Sequence, residues 1–254
     1  MKIFKLPVSS GGLDKTGQEK APEKIIYFLD NEIWLNEQYS KPVYETINLD
    51  FSGKTGFDEI DSYILENIET NSVYLGGDHS ITYSCFKKFS QEHENPCLIV
   101  FDAHPDLYSQ YDFPTHGDWL KHLIEQKLVK PENIFLIGLR AFSKEEHEYV
   151  KKHNIKYIHM KDFSLNDCEK MIKFANSFDA VYLSIDIDVI DPGFAPAAGY
   201  LEPGGMTPRQ LLHFVQALKN LNNLKAIDLV EIMPDKDFND MTSKLGAKIL
   251  GELL

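Results

Sequence analysis

Residues 97–106 read CLIVFDAHPD, and residues 180–192 read AVYLSIDIDVIDP. Each stretch starts as an unbroken apolar run rich in strand-forming residues and ends in closely spaced carboxylates. A strand with one wet face alternates apolar and polar residues. Apolar side chains on consecutive positions suit a strand covered on both faces, as in a parallel sheet. The two stretches predict strands over 97–102 and 180–187. Similar runs outward from them predict strands over 2–6, 43–49, 72–77, 133–139, 155–160 and 224–231. Amphipathic stretches between them predict helices over about 21–38, 57–70, 79–92, 117–128, 144–153, 164–176, 207–221 and 239–253. The cleanest is TPRQLLHFVQALKNL (207–221). Thr207 is a good N-cap, Pro208 suits the first turn, and apolar residues fall at 211, 212, 215 and 218. Strand–helix alternation of this kind predicts an α/β fold. The expected form is a three-layer α/β/α sandwich around a mostly parallel sheet of about eight strands, in one domain over 1–254. Ligands in such sheets bind beyond the carboxyl ends of the strands.

Titratable residues crowd four of those ends. After VYL (73–75) comes Gly76-Gly77-Asp78-His79-Ser80, and after CLIVF come Asp102, His104 and Asp106. Asp186 and Asp188 follow AVYLSI, and Glu231 follows LKAIDLV (224–230). Alternate residues of an extended segment point the same way, so Asp102, His104 and Asp106 can face one site, as can Asp186 and Asp188. Burying several carboxylates together costs several kcal/mol for each that is unpaired. With few Lys or Arg nearby in sequence, divalent cations are the natural compensation. Four Asp and two His, with no thiolate, are too many ligands for one small ion. They suit a two-metal site, with Mn²⁺ favoured over Fe²⁺, Co²⁺, Ni²⁺ or Zn²⁺.

GGDHS, DAHPD, SIDIDVIDPGFAP and the late Glu231 resemble, in order and approximate spacing, the motifs of the ureohydrolases, the superfamily of arginase, agmatinase, guanidinobutyrase and formimidoylglutamase. The likeness covers about residues 70–254. More weakly it includes PVSSGG, Gly17 and Ala21-Pro22, a shortened form of the family's opening segment. It implies an arginase-like α/β/α fold and hydrolysis of a guanidino or related C–N bond by water activated between two Mn²⁺. It also implies roles. His79 looks like the terminal ligand of the first metal, Asp102 and Asp186 like bridging carboxylates, and His104 and Asp188 like ligands of the second metal. Asp106 resembles a ligand that also bonds the attacking oxygen. His116 matches the proton-shuttle histidine and Glu231 the glutamate that pairs with the guanidinium. The short loop between Asp106 and His116, with GYLEPGG (199–205), looks more like the agmatinase branch. There Asp112 or Glu202 could attract a distal ammonium. Arginase, guanidinobutyrase and formimino-hydrolase readings stay open. The chain departs from the family pattern at Pro105, at Pro196-Ala197-Ala198-Gly199-Tyr200 and at Met233-Pro234-Asp235-Lys236-Asp237. None of these removes a ligand. The last two alter the substrate rim. The resemblance further implies a homo-oligomer, a trimer or hexamer.

The 254-residue chain has 26 Lys+Arg against 39 Asp+Glu, a net charge of −13. That balance disfavours nucleic-acid phosphates and anionic lipid as partners and suits a small cationic substrate. No stretch approaches the ~18 apolar residues of a membrane span, and MKIFKLPVSSGG is too weakly apolar for a signal peptide. Cys85, Cys97 and Cys168 form no metal pattern and read as buried reduced thiols, so a cytoplasmic location is expected. Blander readings stand beside the sharp ones. Asp191-Pro192 suits a structural turn and Asp78 a supporting hydrogen-bonding role. His116 could merely start a helix, and Glu231 could merely end a strand. His93, His122, His147, His153, His159 and His213 read as structural or surface residues. Gly76-Gly77 reads as a sharp turn before His79. Two rival functions remain: a metal-binding homologue without activity, which should have lost a ligand or the shuttle, and a dimetal phosphoesterase. The second would need a cation at the site, for which Arg140 is the residue to check.

Overall fold

In the computed structural model, which describes residues 1–13, 16–108 and 111–254, strands and helices alternate along the chain. The strands are β1 (Lys2–Leu6), β2 (Glu45–Asn48), β3 (Val73–Gly76), β4 (Pro96–Phe101), β5 (Ile134–Leu139), β6 (Lys156–His159), β7 (Ala180–Asp186) and β8 (Leu224–Val230). The helices are α1 (Ala21–Asn31), α2 (Phe57–Asn67), α3 (Ile81–Glu92), α4 (Trp119–Glu125), α5 (Lys144–Lys152), α6 (Asp167–Ala175), α7 (Pro208–Lys219) and α8 (Met241–Leu253). All eight strands join one sheet in the order β2-β1-β3-β8-β7-β4-β5-β6, and every pairing is parallel.

The consecutive apolar residues do what a doubly covered sheet needs. Along β4, Cys97, Ile99 and Phe101 enter one core with residues of α1, α6, α7 and α8. Leu98 and Val100 enter the other with residues of α2, α3, α4 and α5. β7 divides likewise, with Val181, Leu183 and Ile185 on the first face and Ala180 and Tyr182 on the second. Each such buried aliphatic side chain contributes roughly 1.5–3 kcal/mol. At the start of α7, Thr207 and Gln210 form a reciprocal capping box, with Pro208 in the first turn.

Several helix boundaries fall two or three residues inside the expected ranges, as at α2, α4 and α6, and two differences have a clear local cause. The helix expected over 21–38 stops at Asn31. Beyond it Trp34, Leu35 and Tyr39 are exposed, so the apolar stripe that would dock a longer helix is missing. Asn36 Oδ1 instead accepts the amides of Gln38 and Ser40, which folds the segment into a loop. The helix expected over 79–92 starts two residues later, because His79 and Ser80 belong to the turn that delivers the imidazole.

Strands β3 and β4 follow one another in sequence, yet β8 and β7 lie between them. This is the switch point of the sheet, where adjacent crossovers diverge and leave a crevice at the strand ends. The ends of β3, β8, β7 and β4, side by side, carry the four groups of titratable residues.

Candidate functional site

Each side chain arrives by a specific backbone device. His79 leaves β3 through Gly77, whose missing Cβ would lie 1.6 Å from the Val8 carbonyl oxygen. The glycine is therefore required for close approach of the N-terminal segment rather than for a turn. The amides of Gly77 and Asp78 donate to Leu6 and Val8, and the Gly77 carbonyl accepts the Glu231 amide (2.9 Å). β4 ends at Phe101, so Asp102, His104 and Asp106 occupy irregular backbone, and Asp106 has φ +51°. Strict strand alternation is therefore not what gathers them. Asp186 closes β7, and Asp188 lies in the following 3₁₀ turn, its amide donating to Asp186 Oδ1 at 2.7 Å. Glu231 also has positive φ, +66°. Left-handed backbone at two non-glycine residues of one cleft is strain held by the surroundings.

Two groups of potential ligand atoms result: His79, Asp102 and Asp106 in one, and Asp102, His104 and Asp188 in the other, each within 4.8 Å. His79 Nδ1 lies 3.0 Å from Asp106 Oδ2, 3.2 Å from Asp102 Oδ2 and 3.3 Å from Asp186 Oδ2. His104 Nδ1 lies 2.9 Å from Asp188 Oδ2. On the far side of the first ring, His79 Nε2 is 2.9 Å from Ser184 Oγ, whose hydroxyl donates to Asp228 Oδ1 at 2.7 Å. With its proton so used, Ser184 accepts from His79, which assigns the ring hydrogen to Nε2 and turns the Nδ1 lone pair toward three carboxylates. His79 Nδ1 and Asp102 Oδ2 are buried and have no hydrogen-bond partner. A lone pair facing three acids is repulsive unless a cation lies among them. The donor set of imidazole and carboxylate therefore fits divalent ions.

The protonation equilibria point the same way. Burial pushes Asp186 well up, and Asp188 and Asp102 add to it; burial and then Asp102 raise Asp106. Burial alone would lower His79, but Asp102, Asp106 and Asp186 outweigh it and hold the imidazole well above its ordinary range. Burial opposes His104 in the same way, and Asp188 and Asp102 override it. Each shift expresses a demand for positive charge.

Glu231 is 4% exposed. Its Oε1 accepts the His79 amide (2.8 Å), and its Oε2 accepts Gln18 Nε2 (3.0 Å). Burial, and then Asp78, raise its pKa to about 7. His116 Nδ1 stands 3.8 Å from Glu231 Oε1. A cleft of about 250 Å³ opens onto Asp106, Asp186, Asp188, His104, His116 and Glu231. Glu202, partly exposed, reaches within 3.7 Å of His104 Nε2. Asp112 is exposed and lies outside the cleft lining. Ser109 and Gln110 of the short loop lie outside the described residues.

Several contributors carry no motif. Trp119 Nε1 donates to Asp106 Oδ2 (2.5 Å), and its ring lies 4.7 Å from that of His79. Gly11 donates its amide to Asp78 Oδ2 (2.9 Å) and accepts the His116 amide (3.1 Å). Asp78 thus supports its neighbours, also accepting the Ser80 amide. Asp191 holds a turn, accepting the amides of Gly193, Gly204 and Gly205. Asp78 and Asp191 take the supporting and turn roles expected of them. Of Gln18, Trp119, Ser184 and Asp228, which the sequence reading did not single out, only Asp228 carries a readable signal, as a charged residue inside an apolar strand. Arg140 donates to the carbonyls of Gly138, Asp188, Val189, Ile190 and Glu202. Its guanidinium braces the loop beyond β7, so it is not poised for a phosphate. The cysteines are buried and unpaired, and no helix is long and apolar enough to cross a membrane among the described residues.

Known proteins share this fold and part of this sequence. The chain is similar to the formimidoylglutamase of Bacillus subtilis, 32% identical over 189 residues, 70% of this chain and 58% of that protein's length. It is also similar to the agmatinase of Bacillus cereus, 31% identical over 210 residues, 80% of this chain and 70% of the relative. The crystal structure of the Bacillus subtilis formimidoylglutamase superposes with a TM-score of 0.90 at 26% identity, covering 99% of this chain and 85% of that one. The sheet order, the paired acid–imidazole clusters and a match of the Arginase family model to residues 1–254 lead to one assignment: the chain belongs to the arginase family.

Proposed function

We propose that this chain is a hydrolase of guanidino C–N bonds that releases urea, with agmatine, which gives putrescine, as its first candidate substrate. The observation that carries the reading is the orphaned lone pair of His79 Nδ1 among three buried acids, one residue contact away from Glu231. His79, Asp102, Asp106 and Asp186 would hold one divalent cation and Asp102, Asp186, His104 and Asp188 a second, with Mn²⁺ as the expected metal. Bound there, the pair supplies Lewis acidity and lowers the pKa of a water.

The protein's own groups do the rest. Glu231 orients the planar guanidinium by paired charge-assisted hydrogen bonds. Each of its oxygens already accepts one protein N–H, which fixes the carboxylate plane and leaves one lone pair for substrate. An arriving guanidinium also favours the ionised acid. Asp106, held by Trp119, accepts from the attacking oxygen. His116 hands a proton to the departing alkyl nitrogen. One water and one guanidinium cation yield urea and one alkylammonium, so charge balances. Glu202 lies near enough to favour a cationic substrate. A cytoplasmic homo-oligomer, trimer or hexamer, goes with this reading.

The likeness to a formimidoylglutamase supports a second reading, hydrolysis of a formimino C–N bond. Urea and formamide release should be measured after Mn²⁺ loading on agmatine, arginine, 4-guanidinobutyrate and formimidoylglutamate, with His104→Ala as control. Urea from agmatine, lost in the control, is the expected result. Formamide alone would select the second reading, and no product from any of them would sink both.

A further inference from the structure

The two groups of ligand atoms are built unequally. The first, around His79, is sealed: its imidazole is 1% exposed, and Ser184 holds its Nε2. The second opens to the cleft. The His104 side chain is 25% exposed, and its Nε2 is 3.7 Å from Glu202, too far for a hydrogen bond. Trp119, fully buried at the head of α4, stands behind the first group. Its ring centre lies 4.7 Å from that of His79, and its Nε1 donates to Asp106 Oδ2 at 2.5 Å. That same Oδ2 faces His79 Nδ1 at 3.0 Å. Asp102 is common to both groups, whereas His79 and Asp106 belong to the first alone. One indole therefore touches both of the residues that set the first group apart.

The contact has the chemistry of a support for a metal ligand. An indole N–H donates and has no lone pair to offer, so Trp119 cannot join the ligand set. It is also neutral, so it steadies the carboxylate without using up the negative charge that a cation needs. A Lys or Arg in its place would compete with the ion. Asp106 needs such steadying, because its φ of +51° is a left-handed conformation that a non-glycine residue keeps only when its surroundings hold it. Just beyond it the Leu107 amide donates to Glu146 Oε1 (3.3 Å) and the Tyr108 amide to the Gly117 carbonyl (3.0 Å). Those bonds fix the main chain, and Trp119 fixes the carboxylate. Trp119 is itself anchored by the turn that carries His116. Its amide donates to the Thr115 carbonyl (3.1 Å), and Asp118 Oδ1 accepts the Thr115 amide and hydroxyl.

We infer that Trp119 is a positioning residue for one cation only: it holds Asp106 against His79, and its loss weakens the His79 half of the metal pair while leaving the His104 half intact. This rests on the dimetal reading above, but it is testable without substrate. Mn²⁺ would be titrated into metal-stripped protein, with the free ion counted by its EPR signal. Trp119→Phe, which keeps a ring and removes the N–H, should weaken one of two sites about ten- to a hundredfold and shift the other by less than about twofold. His104→Ala keeps only the His79 half, and there Trp119→Phe should show the full loss. In His79→Ala it should show none. Thermal melts of the metal-free proteins check folding. If Trp119→Phe unfolds, Trp119→benzothienylalanine, which sets sulfur in place of the N–H and keeps the ring shape, decides the matter. Unchanged Mn²⁺ affinity, equal weakening of both sites, or the same loss in His79→Ala overturns the inference. A loss confined to the His79 half in a protein that releases no urea from any guanidine spares the inference and sinks the hydrolase reading. Unchanged Mn²⁺ affinity beside urea from agmatine does the reverse, and no Mn²⁺ binding by the unsubstituted protein overturns both.

Discussion

Asp186 and Asp228 stand on neighbouring strands, both essentially sealed from water, and the protein treats them in opposite ways. Asp228 pairs in register with Ser184 and is fully buried, yet its carboxylate accepts hydroxyls from Thr82, Tyr182 and Ser184 at 2.7–2.8 Å. Burial still raises its pKa, but the three donors oppose that shift. Asp186, 4% exposed, faces Asp102, Asp188 and the bare lone pair of His79. One acid is compensated within the chain and the other calls for an ion from outside. The difference separates a structural carboxylate from a functional one better than burial or charge does. Ser184 connects the two, since the hydroxyl that satisfies Asp228 also sets the tautomer of His79.

The sharpest way to break this contrast is to neutralise each acid in turn. Asp186→Asn should lower urea release by about a thousandfold, the worth of several kcal/mol of charge stabilisation. In chelator-treated protein its Tm should hold or rise, because a repelling charge has gone. Asp228→Asn leaves one hydroxyl facing an N–H donor, and should cost about 1–3 kcal/mol of stability, several degrees in Tm. If chelator-treated Asp186→Asn melted well below the unsubstituted protein, Asp186 would be structural and the contrast false.

Glu231→Gln comes next. It keeps the side-chain volume but removes the charge that meets the guanidinium, so kcat/KM should fall about a hundredfold with metal content unchanged. Loss of metal along with activity would place Glu231 among the ligands instead. Ser184→Ala probes the connection itself. Without that acceptor His79 can rotate or change tautomer, and metal affinity should weaken about ten- to a hundredfold by competition with a chelating dye. An unchanged affinity would leave the two acids independent.

The same contrast explains what could be read from the residues alone. The strands were legible because burial on both faces leaves runs such as CLIVF, and those runs also located the strand ends. Their order was not, because nothing local to β3 or β4 says that β8 and β7 come between them. Asp102, His104, Asp106, Asp186 and Asp188 were singled out by spacing and by family resemblance. The alternation invoked for the DAHPD segment differs from the irregular backbone that assembles it. Gln18, Ser184 and Trp119 act through contacts with partners 213, 105 and 13 residues away. Such residues look ordinary in sequence because their role depends on the tertiary neighbour.

A third carboxylate, at the surface, fixes the mild end of the scale. Glu37 is gripped by Arg209 through both oxygens, at 2.6 and 2.9 Å, and Gln216 adds a bond at 3.1 Å. These partners, Arg209 first, lower its pKa to about 2. A depressed carboxyl group contributes stability that is fully present above its unfolded value and lost as pH falls through the folded one. The window therefore runs from about 4.5 down to about 2. Water reaches this pair, with the two side chains 36% and 69% exposed, so screening makes the contribution small. Arg209→Ala should lower Tm by only about 2 °C at neutral pH, and the difference should shrink as the pH is brought below 4. A larger loss, or one that persists in acid, would mean that Arg209 acts through packing of the 32–40 loop rather than through charge. The ranking of the three acids by the cost of losing their partners would then have to be redrawn.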